Sequence, residues 1–317
     1  MTATNRRRPR PSWFTRFWAV VRYEMLWNIR KKKFIAIVIA AFGLVTLNIV
    51  VPTFLNLGEN PDFAATFSVG SLVFFLIALG TVMNSISGEF ESGTIVPLLT
   101  KPVSRTMVFL AKLFTAFIII MVTYTVLFTY STIVGILMYG PQANLQLVPL
   151  ALIGNVISTF VWVAIILAMG SISKSSLFAA LGGLVLFIAF VFAASLIPSF
   201  SNATGAIDYI PGAGSSGTLN VAQRSQNITI QNVTISTNQL STGTDSIGSN
   251  LANYALHPSA TANITRTDVF SMPPKVIQLY TESLGTIVLR SIGIAFAYIL
   301  VFMFVAWLAF KRAQILE

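Results

Sequence analysis

Cysteine is absent from the 317-residue chain, and histidine occurs once, at His257. The chain therefore has no disulfide, no thiolate metal ligand and no cysteine nucleophile, and a single histidine cannot build a histidine metal cluster. Charged residues are also scarce, at 9% of the chain against about a quarter in soluble domains. With 55% hydrophobic residues and a mean hydropathy of +0.78, the composition indicates a polytopic membrane protein.

Six apolar segments are each long enough to cross the hydrocarbon core of a bilayer, which is about 30 Å thick. None of them, as bounded here, contains an Asp, Glu, Lys, Arg or His residue. Ion-coupled transporters and intramembrane enzymes need ionisable groups at depth, so energy for any transport must come from outside the bilayer. The segments span residues 34–55, 66–87, 113–139, 147–170, 176–198 and 291–310.

We therefore predict an all-α integral membrane protein with six transmembrane helices, an N-terminal interfacial helix and a large extracellular loop between spans five and six. On a helical wheel, Trp and Phe side chains of the interfacial segment share one side and Arg residues lie opposite, which suits an anionic lipid surface; a plain juxtamembrane anchor is the alternative. The predicted parts are a basic disordered tail at 1–11, the interfacial helix at 12–33, spans one to five at 34–198, the loop at 199–285, and span six with a short tail at 286–317.

The distribution of basic residues predicts the orientation. Ten Lys and Arg residues precede the first span, and six more fall on the same side of the membrane as both termini. The remaining four lie on the other side: Arg224, Arg266, Lys275 and Arg290. By the positive-inside rule, we expect a multi-pass protein of the cell membrane with both termini in the cytoplasm.

Polar side chains inside the spans are hydroxyls and amides. Thr125, Thr129 and Thr132 share one face of the third span, and Asn155 and Thr159 share a face of the fourth. Interhelical hydrogen bonding is the commoner role for such residues, and the lining of a translocation pathway is the alternative.

The loop at 199–285 is rich in Ser, Thr, Asn and Gly and has few charges. It contains four N-x-T sequons on the side predicted to be extracellular, so N-glycosylation is expected there if the host glycosylates. The alternating sequence NITIQNVTIS predicts a short strand or hairpin, and the rest is expected to be partly ordered at best and dispensable for folding of the spans. The sequon asparagines are Asn202, Asn227, Asn232 and Asn263.

The stretch from Gly88 to Arg105, GEFESGTIVPLLTKPVSR, is a long polar interruption between the second and third apolar segments. Its charges follow an ordered pattern. Its carboxylates come early and its cations late, which favours two short helical pieces broken at Gly93 and Pro102. A short, rigid, charged hairpin between two spans is suited to docking a soluble partner. An ordinary solvated loop is the alternative.

Two stretches resemble the permease subunits of ATP-binding-cassette exporters with the type-II exporter fold. One is RYEMLWNIRKKKF, which leads into the first span, and the other is GEFESGTIVPLLTKPVSRTMVFLAK. The second matches the pattern of an acidic pair, Gly-Thr, a hydrophobic turn, Pro-Val-Ser-Arg and a lysine entering span three. The matching residues are Glu89, Glu91, Gly93, Thr94, Pro102, Val103, Ser104, Arg105 and Lys112.

The resemblance implies that 88–105 is a coupling helix, which docks on a separate ATPase subunit. It also implies a dimer of permeases, with the same or a different second subunit. The chain has no P-loop, because the nearest string, GSISKSS, lacks the glycine before the lysine; ATP and Mg²⁺ are therefore expected on the partner ATPase and no cofactor on this chain. The residues expected to couple are Gly88, Glu89, Glu91, Gly93, Thr94, Pro102 and Arg105.

The sequence is compatible with two functions. The first is a non-catalytic permease of an ATP-driven exporter, with an ATPase, a second permease and membrane lipid as partners and no nucleic acid. The second is a non-transporting receptor or scaffold whose glycosylated extracellular loop is the working part. A membrane-embedded enzyme is disfavoured because the sequence offers no catalytic set and no metal site.

Overall fold

The computed structural model describes residues 12–30, 32–54, 62–93, 104–200, 204–221, 227–230, 233–236, 239–268 and 275–312. Six helical segments in this part of the chain are long and apolar enough to cross a membrane, which confirms the predicted fold class. The helices are α1 (Trp13–Ile29), α2 (Lys32–Phe54), α3 (Phe63–Thr66), α4 (Ser71–Val82), α5 (Ser87–Glu91), α6 (Arg105–Tyr139), α7 (Val148–Ser173), α8 (Ser176–Phe200), α9 (Ile247–Leu256) and α10 (Leu284–Arg312).

Local sequence explains where several helices begin and end. Ser12 caps α1 by accepting a hydrogen bond from the Thr15 N–H, and Ser104 caps α6 in the same way. Gly140 ends α6 with a backbone φ of 79°, in the region that glycine adopts without strain. The two serines therefore set where α1 and α6 begin, and the glycine sets where α6 ends.

The core lies among α2, α4, α6 and α7. Its largest fully buried side chains include Trp162, Tyr124, Phe74 and Phe75. Of the six candidate spans, α7 is the most buried within the chain, whereas α8 and α10 expose most of their apolar surface. We expect lipid or another protein to cover those exposed surfaces, because contact of apolar side chains with water is unfavourable.

The sequence predicts one continuous second span over 66–87, but the structure has a break in it. α3 ends at Thr66, an extended segment covers 67–70, and α4 begins at Ser71. Asn155 on α7 satisfies the broken backbone: its amide donates to Phe67 O at 3.5 Å, and its Oδ1 accepts from Val69 N at 3.4 Å. An unsatisfied backbone group in an apolar interior costs several kcal/mol, so this one side chain stabilises the break.

The described residues between α8 and α10, within 204–283, are here called the loop module. It contains β1 (Ser216–Asn220), β4 (Gln239–Ser241), β5 (Thr261–Asp268) and β6 (Lys275–Ser283), paired antiparallel in the order β4-β1-β5-β6. β2 (Asn227–Ile230) and β3 (Val233–Ser236) pair as a separate antiparallel ribbon, which confirms the hairpin predicted from NITIQNVTIS. α9 completes the module.

The loop module packs directly on the membrane-spanning helices. Gly248 of α9 and Gly154 of α7 meet so closely that a Cβ built on Gly154 would lie 2.4 Å from Gly248 Cα. Ser291 of α10 donates to Thr242 O at 2.6 Å, and Ser71 of α4 donates to Asp245 Oδ2 at 3.0 Å. The described part of the loop is therefore ordered and packed on the spans by long-range strand pairs and backbone-level contacts. That the spans fold without the loop stays a prediction.

α7 defines the two ends of the molecule. Its first half carries Asn155, which meets α9, and its last residues contact α5. Nineteen residues of helix separate Asn155 from Lys174, which corresponds to roughly 28 Å. We call the end with the loop module the loop end, and the end with α1 and α5 the terminal end.

Candidate functional site

Three charged side chains from distant parts of the sequence meet in the interior of the terminal end. Lys112 Nζ on α6 donates to Glu24 Oε1 on α1 at 2.6 Å and to Glu89 Oε1 on α5 at 2.8 Å. The three residues are only 3%, 2% and 9% exposed, respectively. They are here called the charge cluster, and they join the interfacial helix, the segment after span two and span three.

The charge cluster holds one cation and two carboxylates. Among the described residues, Oε2 of Glu24 and Oε2 of Glu89 have no hydrogen-bond partner. A buried charge is costly unless it is paired, so each carboxylate depends on the same ammonium. Displacing Lys112 would leave two buried carboxylates without a cation, and a displaced glutamate would lose its only ammonium partner, so the relative positions of α1, α5 and α6 are mutually dependent.

A second contact fixes the end of α5. Glu91, its last residue, accepts hydrogen bonds from Ser176 Oγ, from Ser175 Oγ at 2.8 Å and from Ser176 N at 2.8 Å. Ser176 is the first residue of α8, so the carboxylate lies at the positive end of that helix dipole. Glu91 thus links the segment after span two to the start of span five.

A third contact lies at the other end of the same segment. Arg105, the first residue of α6, donates from Nη1 to the backbone oxygen of Lys311 at 2.9 Å. Lys311 belongs to the last turn of α10, where helix carbonyls lack intrahelical partners, and a guanidinium is a favourable partner there. The stretch from Gly88 to Arg105 is therefore anchored to α10 as well.

The side chain of Phe90 fills the space between these anchors. Its ring lies 6.3 Å from the Phe310 ring of α10, and Lys174 Nζ lies 5.8 Å from its centroid. Lys174 follows α7 with a backbone φ of 54°. The turn between α7 and α8 is thus in contact with the segment after span two.

Gly93 follows α5 with a backbone φ of +66°, and a Cβ built on it would meet no atom within 4 Å. Backbone conformation, not space, therefore requires glycine at this position. Gly88 has little room, since its Cβ would lie 3.3 Å from Asn84 Cβ. The remaining predicted coupling residues, Thr94 and Pro102, lie outside the described residues, as does the second predicted helical piece.

The predicted polar faces of the spans have different environments. Asn155 and Thr159 are fully buried; Asn155 bridges to the 67–70 segment, and Thr159 Oγ1 is 2.6 Å from the Tyr124 hydroxyl of α6. Thr125 and Thr129 are exposed and donate to carbonyls of their own helix. Thr132, half-buried, is on the same helix. Interhelical bonding is thus observed for the fourth span, whereas the hydroxyls of Thr125 and Thr129 bond within α6.

The sequons are also distributed unequally. Asn227 is the first residue of β2, and Asn263 is in the middle of β5, where its side chain exchanges hydrogen bonds with Asn220. Asn202 and Asn232 lie outside the described residues. Attachment of a glycan to Asn263 would break its side-chain hydrogen bonds with Asn220.

Sequence reasoning missed Glu24 as a member of the site and placed Lys112 outside span three. In the structure Lys112 is in the second turn of α6 and is buried. One signal was present in the sequence: Val21, Glu24 and Asn28 recur at helical spacing on α1, and this stripe is buried. A carboxylate within such a stripe indicates a buried cationic partner, but the partner cannot be identified from α1 alone.

A comparison with protein families gives a match over nearly the whole chain. The family described as "ABC-2 family transporter protein" matches residues 18–315. The matched range includes all three members of the charge cluster, all six candidate spans and the loop module. No curated protein matches the chain.

Proposed function

The chain belongs to the ABC-2 transporter family, and we propose that this permease subunit couples ATP hydrolysis on a separate ATPase chain to export of a substrate. The residues that carry the proposal form the stretch 88–105 and its anchors at the terminal end. A soluble subunit can drive a membrane domain only through a surface element that transmits displacement to the spans.

One observation carries the proposal: the stretch is bonded to four different helices besides α5. Glu89 reaches α1 and α6 through the charge cluster, Glu91 reaches α8, and Arg105 reaches α10. A displacement of the stretch would therefore be delivered to several spans at once. A merely solvated loop would not need a buried lysine between two carboxylates.

The partners follow from the same proposal. ATP and Mg²⁺ would bind the ATPase subunit, and a second permease, identical or different, would complete the pathway. The exposed apolar faces of α8 and α10 provide surface for a second copy or for lipid. The basic residues near both termini support a cytoplasmic terminal end, where the ATPase would have access to the stretch.

The alternative of a non-transporting receptor or scaffold has less support. It required the loop to be the working part and the stretch 88–105 to be an ordinary solvated loop. The family match includes the spans and the stretch together, and the described anchors of the stretch are specific contacts. Neither observation is expected of a scaffold.

Site-specific photocross-linking tests the docking step. A photoreactive amino acid at Thr94 or Pro102 of the full-length chain, expressed in its own host, should cross-link to a soluble protein that carries a Walker A motif. The same probe at Ser236, on the hairpin of the loop module, is the matched control and should not capture that protein. Capture from Ser236 but not from Thr94 or Pro102 would contradict both the assignment of the stretch and the orientation.

A further inference from the structure

α1 has a buried face that is committed to α6. Val21, Glu24 and Asn28 are nearly inaccessible, and the Val21 carbonyl accepts a hydrogen bond from Thr115 Oγ1 at 3.4 Å. The ring of Phe17 lies 5.8 Å from that of Phe114 on α6. This face delivers Glu24 to the charge cluster, so the cluster is complete only when α1 is docked on α6.

The rest of α1 presents a second, exposed face. Positions 22, 26, 29 and 30 lie on the side of the helix away from the buried stripe, and position 18 lies at the edge of that side. Trp18 is 42%, Leu26 44% and Ile29 50% exposed, and Arg22 and Arg30 are exposed too. Neither arginine pairs with a carboxylate in the part of the chain that the structure describes. We call these five residues the Trp18 face.

The chemistry of the Trp18 face fits the surface of an anionic bilayer. Trp and branched aliphatic side chains insert at the headgroup level, while arginines on the same helix attract lipid phosphates. Charge complementarity supports this occupant, because the chain has a formal net charge of +10 and ten of its basic residues precede the first span. Trp18 also contacts Phe114 at 5.7 Å between ring centroids, so the face is oriented by the docking of α1.

We propose that binding of the Trp18 face to anionic lipid holds α1 on α6 and so completes the charge cluster, which makes coupling dependent on membrane charge. The proposal rests on the proposed function, since it assigns a regulator to the same cluster. A ligand shifts an equilibrium toward the state that it binds more tightly, and the contact of Trp18 with Phe114 fixes the orientation in which docked α1 presents its arginines and apolar side chains to the bilayer. When α1 leaves α6, Lys112 loses Glu24 and keeps only Glu89.

Cysteine labelling measures the docking of α1 directly, because the chain has no cysteine of its own. Val21→Cys places a thiol in the buried face, where it reacts with a maleimide only when α1 is undocked. We expect slower labelling in phosphatidylcholine vesicles that contain phosphatidylglycerol than in phosphatidylcholine alone. A basic residue near an anionic surface changes binding about five-fold, so two arginines allow a difference of up to about thirty-fold.

Two further variants give the controls. Arg22→Gln with Arg30→Gln should remove the lipid dependence of Val21→Cys labelling, whereas Arg312→Gln, which removes an exposed arginine of α10 at the same end, should preserve it. Ala179→Cys, buried at the start of α8 away from α1, should label equally in both vesicles.

Equal labelling of Val21→Cys in both vesicles would overturn the proposal, as would an undiminished lipid effect in the double arginine variant. If that variant instead weakened capture of the ATPase subunit equally in both lipids, the Trp18 face would bind protein and the proposal would be wrong. The labelling assay needs no ATPase, so it can contradict the lipid proposal without contradicting the proposed function. Failure of the proposed function would instead appear as absent cross-linking at Thr94.

Discussion

Lys112 is the residue on which the terminal end depends most. Its ammonium is the shared partner of Glu24 and Glu89, and all three side chains are buried. Lys112→Met would leave two carboxylates close together without a cation. Removing one partner of a buried ion pair costs about 3–5 kcal/mol, and we expect a loss of that size in the free energy of unfolding. Thermal unfolding of the purified protein in detergent measures it.

The matched control removes every charge of the cluster. Glu24→Gln and Glu89→Gln combined with Lys112→Met should recover most of the lost stability, because no uncompensated charge remains. If Lys112→Met alone were as stable as the wild-type protein, the three side chains could not form the cluster described.

Asp245 is a half-buried titratable group outside the membrane-spanning helices. Burial raises the pKa of Asp245 above its ordinary value of 3.8, and hydrogen bonds from Ser71, Ser246 and Ser241 lower it by less. A carboxyl whose pKa is raised on folding favours the protonated folded state, so its contribution to stability is greatest below the unfolded pKa. That contribution is lost as the pH rises through the folded pKa.

We therefore expect a pH dependence that originates in the loop module. The melting temperature of the wild-type protein should fall as the pH rises from about 4 toward neutral, and Asp245→Asn should flatten that slope because an amide does not titrate. The same slope in the wild-type protein and Asp245→Asn would show that this carboxyl is not the group responsible.

At the scale of elements, the contact between α7 and α9 decides how the loop module is held. A Cβ built on Gly248 would lie 2.3 Å from Asn155 Nδ2 and 2.5 Å from Ala151 O. Gly248→Ala therefore forces the two helices apart and disturbs the Asn155 bonds to the break at 67–70. Overpacking of this kind typically costs about 1–3 kcal/mol.

Gly43→Ala is the matched control for Gly248→Ala, because a Cβ on Gly43 in α2 would meet nothing within 4 Å. Alanine is favoured over glycine in a helix by about 1 kcal/mol, so Gly43→Ala should leave stability unchanged or raise it slightly. Equal melting temperatures of the two variants would contradict the close approach of α7 and α9.

Hydropathy and local turn chemistry were enough to predict the spans and the hairpin. Hydropathy within a span and the alternation in NITIQNVTIS act over neighbouring residues, so a single sequence reveals them. The break at 67–70 was not predicted, although it contains Ser68 and Gly70, because its backbone is satisfied by Asn155, some 86 residues away. Glu24 was missed for the same reason, since its partner Lys112 lies 88 residues along the chain.

At the scale of the whole molecule, the loop module and the spans form one packed unit. Arg290 at the start of α10 pairs with Asp208 Oδ2 at 2.7 Å and Glu282 Oε1 at 2.8 Å. A Cβ on Gly212 would lie 2.9 Å from the ring of Trp162, a core residue of α7. The module therefore covers side chains that the spans cannot bury on their own.

Replacing residues 212–268 with a short Gly/Ser linker tests this unity. The structure predicts a large loss of folded protein, because Ser291 and Ser71 lose their hydrogen-bond partners in the module and α7 loses its close contact with Gly248. The monodisperse yield by size-exclusion chromatography in detergent is the measurement, and an insertion of the same linker at 222–226 is the control. Undiminished yield of the deletion would restore the view that the loop is dispensable.

We expect the stretch 88–105 to transmit the stroke of the ATPase to the spans. Gly93 offers the sharpest probe of this role. There is space around it for a side chain, but β-branched residues avoid its backbone φ of +66°. Asn tolerates that conformation, so Gly93→Asn is the matched control for Gly93→Val. Glu91→Gln is likewise the control for Glu91→Lys, which would place a cation at the positive end of α8. A charge change at Lys174, in the neighbouring turn between α7 and α8, cannot serve as a control for these variants, because Lys174 contacts Phe90 of the stretch.

The most direct test measures retention of the ATPase subunit on purified, membrane-inserted permease variants, together with ATP-dependent transport. Gly93→Val and Glu91→Lys should insert normally but either bind the subunit at least about tenfold more weakly, a loss of about 1.4 kcal/mol, or hydrolyse ATP without transport. Gly93→Asn and Glu91→Gln should remain close to the wild-type protein. Normal subunit retention and normal transport in both Gly93→Val and Glu91→Lys would contradict the account.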